Sequence, residues 1–206
     1  MYIDIANTEK SWQDVYSLCI TFVTPRPIGF ISTVAADGVR NLAPFSFFNM
    51  VCARPPILMF CPGRNRAGAK KDTLVNVEAT GEFVAAVVTD AMGAAMNQTS
   101  AAYAPEVDEF AAAGFTPRPA TMVQPALVGE SPVNCECRLE RIVEFGEGPG
   151  ATAVVFGRVV AIHVDDRFLA ADGLLDDGKL LTIGRMGRSG YVRTTDRFDL
   201  PRPTIG

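Results

Sequence analysis

The chain carries one histidine, His163, and five cysteines, at positions 19, 52, 61, 135 and 137. A single imidazole cannot build a histidine metal cluster or a multi-histidine proton relay. The cysteines are odd in number and scattered, as expected of reduced thiols used as small core residues rather than of a disulfide framework. Cys135 and Cys137 are separated by one residue, the spacing of neither a zinc knuckle nor a redox pair. No metal site is expected. Chemistry carried out by this chain would therefore come from a bound cofactor, with side chains supplying position and charge.

Two segments have the residue types to hold such a group. Arg64, Arg66, Lys70 and Lys71 form a basic cluster in an otherwise acidic chain, just before Asp72 and Thr73. A helix start with free amides, a cation and a hydroxyl is what a phosphate dianion needs; a solvated loop is the other reading. The second segment, Asn41-Leu-Ala-Pro-Phe-Ser-Phe-Phe-Asn49, mixes small, aromatic and hydrogen-bonding residues. That mixture suits a planar ring with one apolar and one polar edge, and suits a core strand as well. Known phosphate fingerprints are missing: from Gly63 four residues lead to Gly68, but Ala69 stands where a P-loop needs lysine. The glycines at 146, 148 and 150, and at 184, 187 and 190, lack the strand-to-helix context of a dinucleotide fold and read as turns.

The elements that must position these residues are mostly strands. Ile28 to Ala35, the Asp37-Gly38 turn and Val39 to Ala43 make a hairpin, entered through the extended Thr24-Pro25-Arg26-Pro27. A buried run follows over Ile57 to Cys61. Asp72 caps a short helix, Thr73 to Thr80, with Leu74 and Val77 inward and Gly81 as its stop. Phe83 to Val88 reads as a buried strand, and two further short helices follow, from Asp90 to about Ser100 and from Val107 to Ala113. The proline-rich stretch 115–132 is aperiodic but apolar enough to pack over the barrel. Val133, Cys135, Cys137 and Leu139 then alternate with Asn134, Glu136, Arg138 and Glu140, the pattern of a sheet with one wet face. Ala151 to Val164 is a long strand with Gly157 as its expected bend, and His163 near its end is expected at the surface, bonded to a carboxylate of the Asp165-Asp166 turn. The architecture these elements imply is mainly β with short helices, a small closed antiparallel barrel.

Composition narrows the function classes. At about 150 residues per domain, 206 residues suggest a single domain spanning 1–206, and 48% hydrophobic residues suffice for a substantial core. A net charge of −4 argues against nucleic acid or an anionic membrane as partner. Met1 to Lys10 carries no apolar run, so no signal peptide is expected, and the most apolar stretch, Thr152 to Val164, is interrupted and short of the roughly 20 residues a spanning helix needs. A cytoplasmic protein is the expectation.

Arg26-Pro-Ile-Gly-Phe-Ile-Ser-Thr33, Asn41-Leu-Ala-Pro-Phe-Ser46, Pro55-Pro56, Lys71-Asp-Thr73 with Asn76, Gly81-Glu-Phe83, and Gly184-Arg185 with Tyr191 occur in the order seen in flavin reductase-like proteins. The chain resembles the FMN-binding split-barrel family, in its flavoredoxin-like branch, over about residues 20–192. The resemblance implies a Greek-key split barrel and a homodimer with one FMN per subunit near the interface. It implies that Ala43, Pro44, Phe45, Ser46, Phe47, Phe48 and Asn49 line the ring, with Ser46 toward its polar edge. Ser32 and Thr33 are then expected near the ribityl chain or ring. Lys71, Asp72 and Thr73 would hold the phosphate, with Arg64 or Arg66 assisting, and Arg185 and Tyr191 would close the flavin pocket or the dimer. By the same analogy His163 is a catalytic candidate near a nicotinamide. The implied activity is an NAD(P)H-dependent flavin reductase with NAD(P)H as transient co-substrate, serving an electron-acceptor protein or a monooxygenase. Its rivals are an electron-transfer flavoprotein reduced by a partner and a split-barrel protein that binds a ligand without redox turnover.

Overall fold

Only Ser46 and Phe47 separate strand β2 (Arg40–Phe45) from strand β3 (Phe48–Ala53), yet these two strands lie at opposite edges of one seven-stranded sheet. The computed structural model, which describes residues 1–65 and 67–204, orders that sheet β2-β1-β5-β8-β9-β4-β3, antiparallel throughout, with β1 at Gly29–Val34, β4 at Pro56–Phe60, β5 at Glu82–Val87, β8 at Val133–Phe145 and β9 at Thr152–Val164. Laid flat, six spacings of about 4.8 Å would put its edges about 29 Å apart, whereas the Cα atoms of Phe45 and Phe48 lie within about 11 Å by chain length alone. The sheet must be rolled into a barrel whose seam, between β2 and β3, carries no ladder. This is a split barrel, as expected. Pro44 is tolerated in β2 because β2 is an edge strand with one face of its ladder unpaired.

The barrel is filled by Ile31, Phe45, Phe60, Phe83, Ala85, Cys137, Ala153 and Val155, with Leu74 and Val77 of helix α2 (Asp72–Thr80) packed into the same cluster. Phe60 stands 5.1 Å from the rings of both Phe45 and Phe83. Gly157 lies opposite them on β9, and a Cβ there would sit 2.2 Å from Phe83 Cζ. Its lack of a side chain makes room for an aromatic ring; it is buried within β9, next to an irregularity in the β8 register at Leu139/Arg141. A second cluster, Ile28, Phe30, Leu42, Ala86, Val88, Met92, Met96, Phe110, Phe115 and Val128, lies under helices α3 (Gly93–Gln98) and α4 (Glu109–Ala113).

Smaller elements complete the chain. Two-residue strands β6 (Pro117–Arg118) and β7 (Leu127–Val128) pair within the proline-rich stretch, and β10 (Ile183–Arg185) pairs with β11 (Tyr191–Arg193) after the single turn α5 (Asp177–Leu180). Helix α1 (Trp12–Phe22), absent from the sequence reading, is started by a capping box in which Ser11 and Asp14 bond each other's backbone amides. Among the described residues no helix is long and apolar enough to cross a membrane, and all five cysteines are free.

The expected wet face of β8 is corrected. Arg138 and Glu140 are exposed, but Glu136 is sealed from solvent and Asn134 is buried, because the stretch before β7 folds across them. The amides of Thr121, Met122 and Val123 donate to the Glu136 carboxylate, and the amide of Val128 donates to Asn134 Oδ1.

Candidate functional site

The end of the first hairpin and the start of α2 enclose a crevice of about 310 Å³. Asn41, Ala43, Pro44 and Phe45 of β2 form one wall; Lys71, Asp72 and Thr73 form the other; Asn65 and Lys70 stand at one end; residues 99–103, Pro105 and Glu109 close it. The walls are fixed to each other by buried hydrogen bonds. The Asn41 side-chain amide donates to Thr33 Oγ1 at 3.0 Å and to Thr73 Oγ1 at 2.9 Å, and Asn76 donates to the same Thr33 oxygen at 3.1 Å. Helix α2 begins one residue earlier than the sequence suggests: Lys71 is its N-cap, in extended conformation, with no side chain capping the first amides. Those amides face the crevice with the positive end of the helix behind them.

Charge divides the basic cluster. Arg64 is paired with Glu144 at 2.5 Å, and Lys70 with Glu78 at 2.5 Å and Glu144 at 3.6 Å. Arg66 lies outside the described residues. Lys71 has no ion pair among the described residues; its ammonium stands 5.8 Å from the centre of the Phe45 ring. Although the residue keeps accessible surface at the crevice mouth, the protein packed around its head group lowers its pKa by desolvation. On the far side, burial and the neighbouring Glu106 raise the pKa of Asp72. Burial likewise raises Glu109, against the opposing effect of the Leu42 amide that donates to its carboxylate at 3.0 Å.

The segment read as one ring-lining wall is divided by its own geometry. Ala43, Pro44 and Phe45 face the crevice. Ser46 and Phe47 cross the seam on its other side, where Ser46 Oγ accepts from Arg26 Nε at 3.4 Å and Phe47 lies 6.4 Å from Tyr16. Phe48 packs against the inner cluster over Gly29, where a Cβ would be 2.3 Å from its ring. Asn49 is exposed on β3 and bonds the next amide. Ser32 and Thr33 are both fully buried: Thr33 stands one layer behind Asn41, and the Ser32 hydroxyl has no hydrogen-bond partner.

Three other sequence-derived residues lie apart from the crevice lining. Arg185 stacks over Tyr191 at 4.6 Å, across the β10–β11 pair. Tyr191 lines a separate cavity of about 320 Å³ with Gly93, Ala94 and the Asp90–Arg193 ion pair. His163, on β9, bonds through Nε2 to Glu136 rather than to a carboxylate of the following turn. Burial would raise the Glu136 pKa, but the bonds from His163 and from the amides of Thr121 and Met122 outweigh it and hold the carboxyl below its usual range.

Residues that the sequence did not mark also shape the site. The 99–103 turn and Glu109 line the crevice without a compositional signal of their own. Arg26 is buried without a carboxylate partner. Its guanidinium donates to the carbonyls of Ile20, Val23 and Met186, tying the end of α1 and the C-terminal glycine-rich loop to the seam. Burial accordingly lowers its pKa.

Comparison with known proteins places this arrangement. Residues 22–184 match the family model described as "Flavin reductase like domain". An uncharacterised protein of Halalkalibacterium halodurans is 38% identical over 197 residues, covering 95% of this chain and 94% of its own. Nitrilotriacetate monooxygenase component B from Bacillus cereus superposes with a TM-score of 0.90 at 32% identity, over 97% of this chain and 99% of that one. The 2-nitrobenzoate 2-nitroreductase of Pseudomonas fluorescens gives 0.86 at 27% identity, over 99% and 97%.

Proposed function

The chain belongs to the flavin reductase-like domain family, and from that premise we propose that it is an FMN-binding oxidoreductase that takes a hydride from NAD(P)H and passes reducing equivalents to a second acceptor. The observation that carries this reading is the crevice itself: a lysine with no counter-charge, the open amides of α2 and a proline–phenylalanine wall meet in one place. These residues fit the group. A phosphate needs the first two and an aromatic ring system the third, and nothing among the described residues already neutralises Lys71.

Bound flavin supplies hydride acceptance at its N5 atom and onward release of electrons. The protein's own part is binding and orientation. Lys71 and the amides of Asp72 and Thr73 hold the phosphate end; because an ionised carboxylate only accepts hydrogen bonds, Asp72 contributes through its backbone N–H. Asn41 fixes Thr73 against the hairpin, so the phosphate end and the ring end are set by one rigid unit. Pro44 and Phe45 exclude water from the apolar face. Ser46 acts from across the seam, where Arg26 orients its hydroxyl.

The homodimer belongs to the same proposal. Helix α1 presents Trp12, Tyr16 and Phe22 to solvent, and Phe47 stands exposed beside Tyr16; an apolar group of this kind at the seam supports a second copy covering it. Similarity to a monooxygenase component supports a monooxygenase as the acceptor's class. Arg185, Tyr191 and His163 keep their proposed parts as elements of that larger assembly, since none lines the crevice within this chain.

The test is the visible spectrum of the purified protein, followed by anaerobic mixing with NADH and with NADPH. A flavin band bleached by either supports the proposal. A flavin band untouched by both assigns the protein to electron transfer from a partner, and no flavin uptake at all removes the redox reading.

A further inference from the structure

A second lobe of about 180 Å³ adjoins the crevice, sharing Asn41, Asp72, Pro105 and Glu109 with it. Its charged residues are all acidic: Asp37 from the hairpin turn, Asp72 at the start of α2, and Glu106 and Glu109 around the start of α4. No basic side chain lines it among the described residues. The nearby Arg40 is committed to Asp108, with bonds of 2.9 and 2.6 Å, whereas Asp72 and Glu106 have no ion pair among the described residues. Of the basic cluster, Arg64 and Lys70 are committed to Glu144 and Glu78 and do not line this lobe.

We propose that this acidic lobe makes the crevice selective for a flavin with one phosphate, disfavouring a flavin adenine dinucleotide. The inference rests on the FMN reading above. A terminal phosphate monoester carries about −1.5 to −2 charge at neutral pH, all of it placed at Lys71 and the α2 amides. In the dinucleotide the same phosphate is joined to the second through an anhydride oxygen and carries a single charge, so the lysine and the helix terminus hold less. The second charge would then sit further along the chain, beside the lobe lined by Asp37, Asp72, Glu106 and Glu109; burial first and Glu106 second already raise the pKa of Asp72. The lobe thus favours the mononucleotide twice, by leaving the full dianion on Lys71 and by opposing any anion beyond it. Riboflavin, with no phosphate, is indifferent to both effects. Screening by salt should weaken the discrimination, because Asp37 and Glu106 are exposed.

The experiment is titration of the flavin-stripped full-length protein with FMN, FAD and riboflavin, followed by flavin fluorescence, at low and at high salt. Wild type should bind FMN at least about tenfold more tightly than FAD, equivalent to about 1.4 kcal/mol. Glu106→Gln should narrow that ratio about threefold or more, and Asp37→Asn with Glu106→Gln further, with riboflavin affinity unmoved. Both positions are exposed, and Glu106→Lys, which should bring the ratio nearer to one, provides an independent check. Equal affinity of wild type for FMN and FAD, or a ratio indifferent to all three variants, overturns the inference while leaving the flavin reading intact. A protein that binds none of the three flavins overturns both.

Discussion

The side-chain amide of Asn41 reaches Thr73 across the crevice floor at 2.9 Å while holding Thr33 at 3.0 Å, so one residue joins β1, β2 and the start of α2. All three partners are buried, and water cannot replace the bonds without entering the core. Asn41→Ala should cost about 1–3 kcal/mol of stability, the penalty for leaving the buried Thr73 hydroxyl without its donor, while Thr33 keeps the bond from Asn76. It should also weaken FMN by loosening the helix start. Denaturant unfolding and FMN titration read the two effects, and a variant unchanged in both would show that the bridge positions nothing.

Gly157 gives a purely steric expectation. A methyl group at this position would lie 2.2 Å from Cζ and 2.4 Å from Cε1 of Phe83, a ring held by Phe60 in the barrel centre. Gly157→Ala should therefore destabilise the protein by about 1–3 kcal/mol through overpacking. Gly63→Ala, where the nearest atom is at 3.9 Å, should be nearly silent in the same thermal melt. Comparable melting temperatures for the two variants would refute the packing account.

The buried Glu136 makes stability depend on pH in a definite direction. Its pKa is depressed in the folded state, so its contribution is fully present above the unfolded value of about 4.3 and is lost as pH falls through the lower folded value. Glu136→Gln should be less stable than wild type near pH 7. The difference should shrink at acid pH, as the medium falls through the lowered folded value and wild type protonates the group. Asp72 and Glu109, raised by burial, act in the opposite sense but are common to both proteins and cancel in the comparison. Urea midpoints for the two proteins at both pH values decide the matter; a gap that stays constant would mean that the carboxylate's charge is not what holds the 121–123 stretch.

Much of this was legible in the sequence because local rules and tertiary demands agreed. The Asp37-Gly38 hairpin, the inward Leu74 and Val77, and the Gly81 stop are each dictated by a few neighbouring residues and appear as expected. What could not be read depends on which segment covers which. Glu136 alternates like a solvent-facing residue and becomes buried only because residues 121–123 fold over it with three amides to offer. Residues 43–49 read as one surface, but the seam falls at Ser46, and a two-residue crossing sends successive side chains to different sides. The sequence puts Arg64 beside Lys71 as an assisting cation, but Glu144, distant in sequence, claims Arg64, and Glu78 and Glu144 claim Lys70.

That division of the cluster leads to the sharpest expectation for the site. If the phosphate is held where α2 starts, Lys71, without a partner among the described residues, gains by meeting it; a lysine already bonded to two carboxylates must first give them up. Lys71→Ala should weaken FMN by about tenfold to a hundredfold, the range of a charge-assisted bond in a partly desolvated site, and leave riboflavin almost unaffected. Lys70→Ala should change FMN affinity by less than about threefold, because it removes an exposed pair of small net worth. The lowered pKa of Lys71 adds a sign: as pH rises through it the ammonium is lost, so the FMN preference over riboflavin should decay at alkaline pH in wild type and be flat in Lys71→Ala. Parallel fluorescence titrations of both flavins across that range test all three statements. Equal losses for FMN and riboflavin in Lys71→Ala would place the phosphate elsewhere.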